Sequence, residues 1–268
     1  MERVHEEVCS IAHAGLSVIN AIPAGIGSTV AISLEAKACV AQGSHEKQGA
    51  LIEAVMDHFC NITGMDFNIT IESQIPQGSG LKSSSAVTVA AIASLSRITG
   101  ISVYPPALSS EISRKTGLSV TGAFDDAVSA YHGGCFLTDN YGMKIHKRLD
   151  FPDDIVFLIS VVGKRPVERL TSLAELRDAY GGIVELASNG DVLQAMNLNG
   201  HMIARKLGYD MDYIARIDSA HPVASGVSGN GPAVFAAFHD GDEGPAYDIM
   251  SDSDKVIVAR AVGYESDS

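Results

Sequence analysis

The sequence predicts an α+β fold. Strand-like segments come in clusters and helix-like segments come in clusters, whereas a parallel sheet with crossover helices would interleave them. Apolar residues make up 46% of the chain, which shows no low-complexity tract, internal repeat or linker-like stretch, so an ordered globular protein is expected. At 268 residues the chain suits one large domain or two fused lobes, with length to spare for a buried core.

In chain order, residues 13–20 and 30–40 read as strands, bounded by Pro23, Gly25 and Gly27. Residues 47–60 place Ala50, Leu51, Ala54, Val55, His58 and Phe59 on one helical stripe. Residues 67–73 alternate apolar and polar, as a half-buried strand does. Residues 84–98 form an Ala-rich helix, apolar on most faces and therefore central. Pro105 and Pro106 open another helix that ends near Gly117, and a third runs from after Gly122 to Gly133-Gly134. Strands are expected at 135–138, 144–148 and 155–162. Helices are expected at 173–187, 192–207 and 212–219. Strands at 232–238 and 256–261 close the chain, with an acidic helix between them.

A formal net charge of −13 argues against nucleic acid as a partner, because phosphate backbones select for Lys and Arg excess. It does not exclude a nucleotide held by backbone N–H groups, a helix N-terminus and a cation. Cys9, Cys39, Cys60 and Cys135 are far apart without a CxxC pair, which favours four reduced, packed thiols over zinc or a disulfide. The uncharged stretch 11–34 is interrupted by Gly15, Asn20, Pro23, Gly25 and Gly27, so it reads as strand, turn and strand, and no membrane association is expected. The expected location is cytoplasmic.

Three segments carry chemistry-bearing patterns. Pro76-Gln77-Gly78-Ser79-Gly80-Leu81-Lys82-Ser83-Ser84-Ser85-Ala86 follows a strand and leads into the Ala-rich helix. Its glycines permit conformations that turn several N–H groups to one point, and the helix start adds positive potential. That suits a phosphate, with serine hydroxyls for phosphate oxygens or Mg²⁺ and Lys82 as a cation. An ordinary Ser-capped helix after a flexible turn has the same composition. It is not a Walker A loop, because Leu81 precedes Lys82 where that motif needs glycine. The second segment, Thr121-Gly122-Ala123-Phe124-Asp125-Asp126-Ala127-Val128, sets two carboxylates near a helix start. They suit a general base or a magnesium ligand, and equally a simple interaction with the helix dipole. The third, from Ala224 to Pro232 with Ser228, Gly229 and Gly231, reads as a loop whose backbone can approach a ligand or merely turn at the surface.

Together these segments carry a resemblance. Gly78 to Ala86 resembles the phosphate loop of the GHMP kinases (the galacto-, homoserine, mevalonate and phosphomevalonate kinase group), and Gly226 to Pro232 resembles that family's C-terminal glycine-rich motif. Lys82-Ser83-Ser84-Ser85, the run from Thr121 to Ala127, the stretch from Ala14 to Gly27 and Met196-Asn197-Leu198-Asn199-Gly200 resemble the archaeal shikimate kinases in particular. The resemblance implies a two-lobed architecture: a ribosomal protein S5 domain 2-like lobe over residues 1–150 and a ferredoxin-like lobe over 151–268. It implies ATP and Mg²⁺ as cofactors and shikimate as acceptor, and it leaves a homodimer open.

By the same resemblance ATP binds at Pro76 to Ala86 and at Ser228, Gly229 and Gly231, with Ser84 in the magnesium shell. Asp125 aligns with the family's catalytic Asp when Ala127-Val128-Ser129 sets the register, and Asp126 does when Gly133-Gly134 sets it. Asp125 is favoured. Shikimate's carboxylate calls for a guanidinium or ammonium, for which Arg114, Lys164, Arg165, Arg169 and Arg205 are candidates. His13, His132, His201 and His221 are expected to be structural. Many GHMP kinases carry a Lys in the N-terminal motif. The matching stretch 12–20 has none, and Lys82 is the candidate to replace its charge.

Overall fold

The computed structural model describes residues 7–44, 46–251 and 255–265. Strands β1 (Val8–Ile19) and β2 (Ile26–Gln42) form a long antiparallel hairpin, so the uncharged stretch is the strand, turn and strand expected. At 17 residues β2 is long enough to take two partners on its other edge. Its start, Ile26 to Val30, pairs with β4 (Cys135–Asp139), and its end, Ala36 to Gln42, pairs with β3 (Phe67–Ser73). β5 (Lys144–Leu149) extends the sheet beyond β4. No helix among the described residues is long and apolar enough to cross a membrane.

The hairpin register sets Cys9 opposite Cys39, and the two are joined in a disulfide, which corrects the expectation of four free thiols. The pair is 30 residues apart in sequence, yet cross-strand pairing brings the Cα atoms to 4.0 Å. Spacing along the chain carries no trace of that proximity. Cys60 and Cys135 are free.

Helix α2 (Ser83–Thr99) lies on β1 and β2, and α1 (Ala50–Thr63), α3 (Pro105–Lys115) and α4 (Phe124–His132) cover its remaining sides. It is apolar nearly all round because it is packed nearly all round. Its alanines allow a close approach, and Ser94 Oγ donates to the Ala38 carbonyl of β2 at 2.8 Å.

The second sheet contains β6 (Ile155–Val161), β7 (Ala224–Val227), β8 (Ala233–His239) and β9 (Ile257–Arg260) in the order β7-β8-β6-β9, all antiparallel. Helices α5 (Arg177–Asn189), α6 (Val192–Leu207) and α7 (Met211–Asp218) lie in sequence between β6 and β7, and α8 (Gly244–Ser251) lies between β8 and β9. This is the ferredoxin-like order.

Two details differ from expectation. The single helix expected over 173–187 is a 3₁₀ segment, Val167–Leu176, followed by α5. Leu170, Leu173 and Leu176 face the core three residues apart, the period of a 3₁₀ turn. The start of the third glycine-rich segment, expected as loop, is strand β7. There α6 lies almost on the strand: a Cβ on Gly200 would fall 2.8 Å from the Ser225 carbonyl oxygen. The ladder to β8 decides this strand, against its own poor β-propensity.

One continuous apolar core runs through both sheets, and α6 packs directly on β1. After β9 the chain returns to the first sheet, where Val262 N–H donates to the Ala31 carbonyl and the Val262 carbonyl accepts from Gly134, each at 2.9 Å.

Candidate active site

A cavity of about 360 Å³ opens where the two glycine-rich segments meet the first turns of α2 and α4. Gly78 and Gly80 take left-handed backbone angles, φ 69° and 93°. Ser79 is buried, and its hydroxyl donates to the Pro76 carbonyl at 2.7 Å and accepts from Leu81 N–H at 3.2 Å, closing the turn on itself. Leu81 is fully buried in the core, and its carbonyl accepts from Gly15 N–H at 3.2 Å. The loop is thereby pinned from beneath, and Ser83, Ser84 and Ser85 open α2 against the cavity. The first N–H groups of a helix have no partner within it, so they and the helix dipole favour an anion there. Asp125 and Asp126 in the first turn of α4 line the same cavity. Each helix is preceded by a non-glycine residue in the left-handed region, Lys82 at φ 66° and Ala123 at φ 54°. Such strain persists only where the surroundings impose it.

The C-terminal glycine-rich segment packs against the first loop. A Cβ on Gly80 would lie 2.8 Å from the Ser228 carbonyl oxygen and 3.0 Å from that of Gly231. Ser228 is fully buried, donating to the Gly80 carbonyl at 3.1 Å and accepting from Ser17 N–H at 3.3 Å. Arg165 ties the two loops from above, Nε to the Gly231 carbonyl at 3.1 Å and one terminal nitrogen to the Gly78 carbonyl at 3.4 Å. Asn20 ties the sheets together: its N–H donates to Asn199 Oδ1 of α6 at 2.9 Å, and its side chain donates to Asn230 at 2.8 Å.

The two carboxylates sit in different surroundings. Asp125 is buried, with Oδ1 accepting from Asn140 Nδ2 at 2.7 Å and Oδ2 lying 3.2 Å from the Thr29 hydroxyl. Asn140 Oδ1 in turn accepts from Asp125 N–H at 3.1 Å. Burial first, and then the charge of Asp126, push the Asp125 carboxyl up to about 6, against the opposing pull of Lys82, Asn140 and Thr29. Asp126 Oδ1 accepts from the Thr29 hydroxyl at 2.7 Å and lies 3.0 Å from Lys82 Nζ. The lysine also donates to Ser17 Oγ at 2.7 Å.

A family model for the GHMP kinases N-terminal domain matches residues 50–134. The shikimate kinase of Thermoplasma acidophilum is 32% identical over 85% of this chain and 85% of its own, and that of Pyrococcus furiosus is 33% identical over 82% and 88%. The chain belongs to the archaeal shikimate kinase family of the GHMP kinases. Among solved structures, mevalonate kinase from Methanococcus jannaschii matches with a TM-score of 0.77 over 97% of this chain and 99% of that one, at 14% identity. Homoserine kinase from Cytophaga hutchinsonii matches with a TM-score of 0.72 over 98% of each chain, at 15% identity. These two establish the fold, two-lobed and α+β, as the family resemblance implies.

Of the residues singled out in the sequence, Gly78, Gly80, Lys82, Ser83, Ser84, Ser85, Gly229, Asp125 and Asp126 border the cavity. Pro76, Gln77, Ser79, Leu81, Ala86, Ser228 and Gly231 lie outside its lining; Ser79, Leu81, Ser228 and Gly231 serve to hold the loops in place. Arg165 borders the cavity, whereas Arg114 donates to the Tyr141 carbonyl and Arg169 to the Leu207 carbonyl, and neither they nor Lys164 and Arg205 line it. Among the described residues no histidine lines it; His201 is held between the Asn197 carbonyl and Asp218. Sequence reasoning missed Ser17, Thr29 and Asn140, which bind the two carboxylates and their lysine. They are uncharged residues in or beside strands, and no local pattern marks them.

Proposed function

We propose that the protein transfers the γ-phosphoryl group of ATP to a hydroxyl of shikimate, giving shikimate 3-phosphate. The observation that carries this reading is the convergence of two helix N-termini and an acidic pair on one cavity, in a chain of this family. Phosphoryl transfer depends mainly on positioning and charge neutralisation, which such a site supplies. N–H groups of the Gly78 to Ser85 segment hold the phosphates. Ser84, an exposed hydroxyl on the first turn of α2, is an oxygen donor of the kind Mg²⁺ takes. The ion, when bound, neutralises the phosphate oxygens.

Asp125 receives the proton of the acceptor hydroxyl as its oxygen bonds to phosphorus and the bond to the ADP oxygen breaks. Its raised carboxyl is a better proton acceptor near neutral pH than an ordinary aspartate, while remaining mostly ionised. Arg165, the guanidinium bordering the cavity, pairs with the shikimate carboxylate. ATP-dependent turnover measured side by side with shikimate, quinate, homoserine and mevalonate tests the assignment. Shikimate is expected to exceed the others by a wide margin. Equal or better turnover on homoserine or mevalonate rejects it.

A further inference from the structure

We propose that Lys82 is a positioning residue, its ammonium turned in beneath the first turn of α4 to fix the acidic pair and keep Asp125 in its proton-accepting form. The inference rests on the reading of Asp125 as the base.

A lysine in a phosphate-binding loop is ordinarily a mobile cation for the ligand. Here the side chain is only 11% exposed and already spoken for, by Ser17 Oγ at 2.7 Å and Asp126 Oδ1 at 3.0 Å. The backbone is bent to send it there, since Lys82 takes a left-handed φ of 66° that disfavours any side-chain-bearing residue. The route is cleared by glycines on two other elements. A Cβ on Gly229 would lie 3.0 Å from Nζ, and one on Gly15 of β1, which would strike Thr29 Cγ2 first at 2.4 Å, would also lie 3.3 Å from Lys82 Cγ. A strained backbone and a glycine pressed against Nζ converge on one part-buried ammonium.

What that ammonium does follows from its company. Asp125 is faced by Asp126 from its own helix, by the hydroxyl of Thr29 from β2, by the amide of Asn140 after β4 and by the thiol of Cys135 from β4. Burial holds that thiol protonated, pushed up to about 12. Thr29 and Asn140 are neutral. Lys82 supplies the positive charge in this set, and two adjacent carboxylates in a buried site do not both ionise without one. Thr29 completes the arrangement, its hydroxyl lying between the two carboxylates.

The test is Lys82→Met, which keeps the length of the side chain and removes its charge. The titration midpoint of the Asp125 carboxyl, followed by carbon NMR, should rise by ~1–3 pH units, the usual influence of a nearby opposite charge. The acid limb of kcat/KM should rise with it, so activity at neutral pH falls by about 2- to 100-fold and returns as the pH is raised through the new midpoint. An unmoved midpoint, or weakened ATP binding with an unmoved acid limb, overturns the proposal and makes Lys82 a phosphate ligand. Should the Met variant fail to fold, Lys82→Gly relieves the left-handed backbone and must show the same rise. Asp125→Asn with turnover intact sinks the reading of Asp125 as the base, whereas the NMR midpoint judges Lys82 independently of that reading.

Discussion

Asp125 and Asp126 are neighbours in sequence that the fold treats differently, one buried among neutral donors and the other set against an ammonium. Burial and the charge of Asp126 hold the Asp125 carboxyl up at about 6 in the folded protein, above the ordinary 3.8 of an unfolded chain. A folded-state value above the unfolded one favours folding most at low pH, and that contribution is lost as the pH rises through about 6. Asp125→Asn removes the buried charge, so the variant should be more stable than the native protein at about pH 8, on the order of 2 kcal/mol. The gap should narrow as the pH falls through about 6 and close below about 3.8, where the native residue is protonated in both states. The same substitution should lower kcat by ~10²–10⁴. Thermal unfolding at the two pH values, alongside turnover, checks both halves. A variant that is destabilised at high pH yet turns over normally would make Asp125 purely structural.

The phosphate-loop segment works as an element because its underside is bonded to the core and to the second glycine-rich segment. Gly78 and Gly80 both take left-handed angles, but nothing lies within 4 Å of a Cβ built on Gly78, whereas Gly80 faces the Ser228 and Gly231 carbonyls. Gly78→Ala should therefore cost only the conformational strain, about 1 kcal/mol. Gly80→Ala adds a backbone collision and should cost about 1–3 kcal/mol, with the larger loss of ATP affinity because it separates the loops. Thermal unfolding and calorimetric ATP titration of the pair compare them. Equal losses would mean that contact between the loops does not shape the nucleotide site. The resemblance located this element in the sequence, and its strand-to-helix placement was legible without it. That Ser79 and Ser228 turn inward as fasteners was not, since a serine reads alike whether its hydroxyl meets a ligand or a carbonyl.

At the scale of the molecule, the cavity exists because the second sheet is docked on the first. Arg165, just past β6, reaches the Gly78 carbonyl in the first half of the chain while bordering the cavity. Arg165→Met should raise the KM for shikimate by about 10- to 100-fold, the loss expected for a charge-assisted hydrogen bond, with a smaller change for ATP. If ATP affinity falls while the KM for shikimate holds, Arg165 is a brace between loops and the carboxylate is held elsewhere. Five basic residues were equal candidates by sequence, because a guanidinium leaves no mark of which way it faces. Docking the halves brought Arg165, alone of the five, to the cavity.

Local rules determined most of the elements: alternation fixed β3 over Phe67–Ser73, and apolar periodicity fixed α6 over Val192–Leu207. Motif order carried the resemblance to the family, and the strand-to-helix placement of the Gly78 to Ala86 segment was legible because backbone conformation at glycines and helix starts is written in adjacent residues. Contacts between distant residues decided the rest. Strand register joined Cys9 to Cys39, a ladder made a strand of Ala224–Val227, and docking brought Thr29, Asn140, Ser17 and Lys82 around two adjacent aspartates. The energies that place those side chains come from burial and pairing across about 65 to 210 positions of sequence, as from Ser17 to Lys82 or Asn20 to Asn230, and no local pattern encodes a partner that far away.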